Sequence, residues 1–361
     1  MFMITAEFGA SRRSEDDTMT QQNATDSEDF GSQRAEELAR EAATWDASSL
    51  QQATDLDIPL VDVARYFESG DRDELERLGE QIRHIGENIG FHCLVGHGIQ
   101  HHEFQSVFDA AAQFLTLPDE VKGRITIDDP SAAAGGIGWL PRGERRLPER
   151  AKGNLNEAVL FKQDRTLRLE HNPWLPESVA PGFRAAVEAY AEKIQRVAIR
   201  LLPIYAVALE LDPDWFEPAF QSPFYRLRMT RYADTSDADI DQYGIAPHVD
   251  TTFFTLLAQS APGLSIYGEQ RGVWLKAPVI PEALVVNTGE LLKQWSNDRF
   301  MSVKHFVPPH RGDQDRYSVP FFFNATADYP MECLPTCHGP DNPPRYPAVS
   351  YLESQAAAQR E

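Results

Sequence analysis

No stretch of the sequence approaches the roughly 18–20 consecutive apolar residues that a membrane-spanning helix needs, so an integral membrane protein is not expected. The N-terminus carries no apolar h-region, and a secretory leader is not expected either. Internal repeats are absent. Cysteine is scarce: Cys93, Cys333 and Cys337 are odd in number and follow no metal-binding spacing. That usage suits reduced thiols in a cytoplasm. Basic residues are outnumbered, with 34 Lys and Arg against 55 Asp and Glu and a formal charge of −21. Nucleic acid and anionic membrane are therefore not the expected partners, because either would want a basic face. The acidic excess reads as a solvated surface.

What is present divides along the chain. Residues 1–54 are rich in Ser, Thr, Gln, Asp and Glu and poor in large apolar groups. Such a segment cannot bury enough surface to offset chain entropy, so a disordered or loosely helical extension is expected there. A single domain is expected over 55–361, and its first part, 55–220, reads as mainly helical with a few strands. "IPLVDV" reads as a strand leading to a helix over 73–90, where Leu75, Leu78, Ile82 and Ile85 recur at helical spacing. "FHCLVGHGI" reads as a strand. Further helices are expected over 101–118 and over 181–211, the latter opening with Pro181. "DDPSAAAGGIGWLPRGERRLPER" is a loop by its Gly and Pro content, and Gly135, Gly136 and Trp139 make it a candidate lid.

From 221 to 330 the pattern changes to short strand-like runs, followed by a tail over 331–361. They are "YRLRMTRYA", "APHVDTTFFTLLAQ", "GLSIYG", "GVWLKAP", "ALVVNTGELLKQWS", "SVKHFVP" and "RYSVPFFFNA". Helices first and many strands afterwards predict an α+β protein with a closed or sandwiched β core.

One of these runs is chemically odd. Residues two apart on a strand share a face, so His248, Asp250, Thr252 and Phe254 are expected to line one side. His248 and Asp250 make half a metal site, and His305 in "MSVKHFVPP" supplies a third ligand. Two imidazoles and one carboxylate on one side of an ion suit non-haem Fe(II) and leave positions open. Taken singly, an H-x-D pair is common and a lone His is more often a hydrogen-bonded core residue. In "DRYSVPFF", Arg316 and Ser318 also stand two apart, with no acidic residue on that strand. A buried Arg needs an anionic partner. With a hydroxyl beside it, the guanidinium makes a receptor for a small carboxylate.

In this order, H-V-D, the distal His and R-Y-S resemble the isopenicillin N synthase-like branch of the Fe(II)/2-oxoglutarate-dependent oxygenases. The likeness covers nearly everything after the N-terminal extension, including "IPLVDV", "GFHCLVGHGI", "FLTLPDEVK" and "ALVVNTGELLKQWSNDRFMSVKHFV". It implies a distorted double-stranded β-helix, or jelly roll, with flanking helices. It implies Fe(II) on His248, Asp250 and His305, and the distal carboxylate of 2-oxoglutarate on Arg316 and Ser318. Tyr232 matches the Tyr of the family's NxYP segment, although Thr230 and Ala233 replace the Asn and the Pro. Asn287 is expected to shape a turn or to hydrogen-bond groups behind the iron, and Trp295 to be core.

Substrate contacts are expected from Asn154, Asn156 or Glu157, and from Phe254 as an apolar wall or barrel filler. Phe321 and Phe323 are left on either face of their strand. The implied reaction consumes O2, with ascorbate as an optional reductant, and releases succinate and CO2. It would hydroxylate, desaturate or cyclise a C–H bond of a small-molecule metabolite. Two rivals stand beside it: an Fe(II) oxidase of the isopenicillin N synthase or aminocyclopropane-carboxylate oxidase kind that dispenses with 2-oxoglutarate, and a non-catalytic binding protein or zinc hydrolase on the same scaffold.

Overall fold

The computed structural model describes residues 50–126, 136–144, 152–235, 238 and 242–358. The expected extension lies outside the described residues up to residue 49, as do Gly135 and most of the Gly- and Pro-punctuated loop. Among the described residues thirteen strands form two sheets. They are β1 (Gln51–Gln52), β2 (Leu60–Asp62), β3 (Phe91–Val95), β4 (Gly138–Leu140), β5 (Glu157–Gln163), β6 (Phe224–Tyr232), β7 (Ile245–His248), β8 (Phe254–Gln259), β9 (Ser265–Gly268), β10 (Val273–Lys276), β11 (Leu284–Thr288), β12 (His305–Val307) and β13 (Arg316–Asn324). The larger sheet runs β2-β3-β11-β8-β13-β6-β5-β4 and the smaller β1-β10-β9-β12-β7. Among the described strands, β1–β10 and β2–β3 are the parallel pairs and the others are antiparallel.

The larger sheet is covered on one side by helices. Helix Arg72–Asn88 starts where the Asp71 side chain accepts from the backbone N–H of Glu74 at 3.0 Å, satisfying a donor that a helix start leaves unpaired. It buries Leu75, Leu78, Ile82 and Ile85, the expected stripe, against the long helix Phe183–Ala208. That helix runs through Pro203 without ending. Tyr225, Leu227 and Met229 of β6, Leu256 of β8 and Val319, Phe321 and Phe323 of β13 join these helices in one apolar core. A smaller apolar cluster, including Phe91, Cys93 and Val285 from one sheet and Ile266 from the other, packs between the two sheets. The result is the expected α+β double-stranded β-helix with flanking helices. No helix among the described residues is long and apolar enough to cross a membrane.

Two runs read as single strands are not. "APHVDTTFFTLLAQ" divides into β7 in the smaller sheet and β8 in the larger, joined by a turn over 249–253. In "ALVVNTGELLKQWS", β11 gives way at Gly289 to a helix, Glu290–Trp295, whose Leu291, Leu292 and Trp295 are buried. Trp139, expected in a lid, lies instead in β4, paired with β5.

Candidate metal centre and its cavity

β7 ends on His248 and β12 begins on His305, and the two residues are register partners in an antiparallel pair. That register sets their rings side by side, centroids 4.4 Å apart. Asp250 arrives from the turn, whose backbone is held by the start of the helix after β11. The N–H groups of Glu290 and Leu291 donate to the carbonyls of Asp250 and Thr252 at 2.8 and 3.1 Å. Gly289 passes so close that a Cβ there would run into the Thr252 carbonyl.

Each ligand is steered through its other polar atom. His248 Nδ1 lies 2.8 Å from the Ala246 carbonyl and His305 Nδ1 lies 3.1 Å from that of Val303. A carbonyl can only accept, so each Nδ1 carries the hydrogen and each Nε2 keeps its lone pair for an ion. Asp250 Oδ2 accepts from Thr255 Oγ1 at 2.7 Å and from Asn287 Nδ2 at 3.0 Å. Oδ1 remains, 3.7 Å from Nε2 of each histidine. One atom from each residue can be chosen so that all three lie within 4.8 Å of one another. Burial pushes the Asp250 carboxyl up, but the His305 and His248 imidazoles and the Asn287 and Thr255 hydrogen bonds outweigh it and hold the group below the usual carboxylate range. Two imidazoles and one carboxylate make a donor set for a first-row dication such as Fe(II).

The triad opens on a cavity of about 200 Å³ between the sheets. Its floor is the inward face of β6, β8 and β13. Arg316, opposite Tyr232 in register, is buried, with its Cζ 4.7 Å from the Tyr232 ring centroid. Its Nε donates to the Ala261 carbonyl at 3.0 Å and its Nη2 to Gln259 Oε1 at 3.3 Å, while Nη1 is buried without a partner. Gly263 lies against it, where a Cβ would come within 2.7 Å of Nε. Burial lowers the Arg316 pKa and Tyr232 partly offsets that. A charge this enclosed with a donor to spare fits a carboxylate ligand. Ser318, two residues on, lines the same cavity, and so does Thr230 opposite it, whose buried Oγ1 has no partner.

The structure thus brings His248, Asp250, His305, Arg316, Ser318 and Tyr232 to one cavity, with Asn287 behind Asp250 and Trp295 in the core. Asn154, Asn156 and Phe254 do not line it. Asn154 Oδ1 accepts from the Ala246 N–H at 3.0 Å, and Asn156 donates to the Gly244 carbonyl, so both brace the approach to β7. Phe254 is buried on the helix side, its ring 5.0 Å from Tyr205 and 5.3 Å from Phe323. The turn resets the alternation, and Phe254 does not inherit the face of His248. Glu157 accepts from Trp139 Nε1 at 2.6 Å and pairs with Lys122. This ties Trp139 to the sheet edge and away from a lid role. Thr255, Gln259, Arg226 and Arg228 escaped the sequence reading. Their signal was the period of two in "YRLRMTRY" and "FTLLAQ".

Residues 224–325 match the 2OG-Fe(II) oxygenase superfamily, and residues 58–178 match the non-haem dioxygenase in morphine synthesis N-terminal family. The chain is 28% identical over 309 residues to the 2-oxoglutarate-Fe(II) type oxidoreductase hxnY of Emericella nidulans, covering 81% of this chain and 86% of that protein. It is 30% identical over 278 residues to azadirone synthase of Melia azedarach, covering 72% and 81%. Among solved structures it is similar to a full-length Neurospora crassa protein in complex with alpha-KG, with 26% identity and a TM-score of 0.72 over 83% of this chain and 96% of that one. The same protein solved with alpha-KG and thymine gives 25% identity and a TM-score of 0.73, over 83% and 97%.

Proposed function

The chain belongs to the 2OG-Fe(II) oxygenase superfamily, and from that premise we propose how its cavity divides the work of an Fe(II)- and 2-oxoglutarate-dependent dioxygenase acting on a small metabolite. His248, Asp250 and His305 hold the iron. Arg316 and Ser318 hold the distal carboxylate of 2-oxoglutarate, with Tyr232 beside them. Bound iron, with O2 and 2-oxoglutarate, supplies oxidation of a substrate C–H bond, with succinate and CO2 as co-products. The protein's part is to fix ligand directions and to keep competing groups away. The Nδ1 hydrogen bonds of the two histidines and the Asn287 and Thr255 bonds to Asp250 do the first. Phe91, Leu257 and Val307 around the triad do the second by limiting water.

The observation that carries this reading is the buried Arg316 with an unpartnered Nη1 in the cavity of the triad. It calls for a small carboxylate in that cavity, and the relatives named for 2-oxoglutarate or bound to alpha-KG support that co-substrate over an oxidase that dispenses with it. The same reading treats 55–361 as one catalytic domain after an N-terminal extension. It also places the protein in the cytoplasm, supported by three cysteines that are all free thiols.

An anaerobic optical titration with Fe(II) and 2-oxoglutarate tests it. Wild-type protein should develop the metal-to-ligand charge-transfer band of the chelate. Arg316→Met should weaken 2-oxoglutarate by roughly 100-fold, about 3 kcal/mol, as expected for loss of a charge-assisted pair. An unchanged affinity in that variant would remove Arg316 as the anchor.

A further inference from the structure

A second cavity, of about 340 Å³, lies on the outer side of Arg316. Leu264, Val307 and Arg316 line both it and the iron cavity, so the buried guanidinium stands in the wall between them. On the outer side Gly263 lies against that guanidinium, where a Cβ would not fit. β10 ends on Lys276, beside Gln52 of β1, and the next N–H, from Ala277, donates to the Leu264 carbonyl at 2.9 Å. β12 ends on Val307. Pro308 and Pro309 lack the N–H that would continue its ladder, and the chain leaves the sheet toward His310 and Arg311.

The charge of this pocket runs against that of the chain. The protein carries −21, yet among the described residues lining the pocket there is no Asp or Glu, while Lys276, Arg311 and Arg316 are cationic. Lys276 and Arg311 are exposed, and among the described residues neither side chain has an ion-pair or hydrogen-bond partner. His310 sets its Nε2 2.7 Å from the Gln314 carbonyl and brings no negative charge. Cations gathered in a concave site without counter-charge focus a field that draws anions from solution. They stand on three separate segments, with Pro262, Pro278 and Pro308 as apolar lining. That layout suits charge spread over a short carbon skeleton better than one compact anion.

We propose that the outer pocket binds a small polycarboxylate, paired by Lys276 and Arg311, and that its occupation weakens 2-oxoglutarate on the inner side of Arg316. The inference rests on the reading of the iron cavity as the 2-oxoglutarate site. Two anions on either side of one guanidinium share its charge and repel each other. The coupling is reciprocal, and it reaches a ceiling once the outer pocket is full. The cavity thereby gains a sensor for the surrounding pool of organic acids.

The test titrates full-length protein and Fe(II) anaerobically with 2-oxoglutarate, reading the chelate band at rising concentrations of tricarballylate and constant ionic strength. Tricarballylate lacks the hydroxyl that makes citrate a strong iron chelator. The apparent dissociation constant of 2-oxoglutarate should rise roughly fivefold and then level off, while the full band is still reached. Inorganic phosphate should produce no such plateau. Lys276→Gln combined with Arg311→Gln should form the band and lose the tricarballylate effect, whereas Arg196→Gln, an exposed arginine of the long helix, should keep it. No change in the wild type overturns the proposal. A rise without a ceiling does too, because it would place tricarballylate in the 2-oxoglutarate site itself. So does an equal plateau with phosphate, a plateau that survives in the double variant, or its loss in Arg196→Gln. The wild-type titrations stand by themselves if a variant fails to fold. Failure of the wild type to form the chelate band would instead overturn the underlying functional reading.

Discussion

Along β13, Val319, Phe321 and Phe323 join the helix-side core while Arg316, Ser318, Pro320 and Phe322 line the cavity. β6 repeats the division, with Tyr225, Leu227 and Met229 on one face and Arg226, Arg228, Thr230 and Tyr232 on the other. Neighbouring residues on one strand are thus held to different standards. On the helix side, stacked rings such as Phe220 and Phe323, with centroids 5.1 Å apart, bury area and leave no polar atom to satisfy. On the cavity side, Arg316 Nη1 and Thr230 Oγ1 are buried without partners. Leaving a buried donor or acceptor unpaired costs on the order of 1–3 kcal/mol. At Arg316 and Thr230 a ligand in the cavity can satisfy the group, so that part of the sheet gives up stability for recognition while the stacked rings behind it stabilise the fold.

The sharpest way to break this contrast is on the cavity side. His248→Ala should remove Fe(II) binding and lower turnover by more than roughly 10⁴-fold, above 5 kcal/mol of transition-state stabilisation. With both proteins metal-free its melting temperature should stay within a few degrees of wild type, and iron analysis with thermal unfolding checks both. On the helix side the pattern reverses. Phe323→Ala should cost about 3–5 kcal/mol of stability through the cavity it leaves, measured as a lower urea midpoint. A metal site that survives in the folded fraction would confirm that the two faces act separately. A loss of stability in His248→Ala as large as that in Phe323→Ala would dissolve the contrast.

The smallest expected effect comes from a polar group on β3. His92 is fully buried, its Nε2 has no partner, and burial pushes its pKa down to about 3 from an ordinary 6.5. The unfolded chain takes up a proton below pH 6.5 where the folded protein does not, so stability is complete above that pH and falls toward pH 3. The slope is about 1.4 kcal/mol per pH unit. His92→Leu should therefore lose about 1 kcal/mol less than wild type between pH 7.5 and 5.5, in paired urea titrations. Equal losses in the two proteins would show that His92 is protonated in the native state.

How much of this the sequence disclosed depends on where each constraint lies. Leu75, Leu78, Ile82 and Ile85 announced their helix because a period of 3.6 is local. His248, Asp250 and His305 were legible as a set, because H-V-D, a distal His and R-Y-S follow in that order, while none of the three stood out singly; Arg316 was legible because its strand offers no counter-charge. Phe254 was misplaced because alternation was carried through residues 249–253, where the backbone is set by Glu290 and Leu291 from far along the chain. Helix Glu290–Trp295 was hidden because six residues directly after a buried strand leave no period to read. Arg226 and Arg228 were in plain view as letters. Which way they face is fixed by pairing with β13 and β5, and the pairing partners of a strand are not written in the strand itself.

Two histidines of the triad belong to the smaller sheet, while Asp250 is gripped by Thr255 and Asn287 of the larger one. A cation seated there would rivet the two layers at their open rim, adding its binding energy to their cohesion. Amide exchange at the ends of β7 and β12 should accordingly slow on metal addition more than exchange in the remote helix Arg72–Asn88, so that iron availability would set how tightly this mouth stays shut.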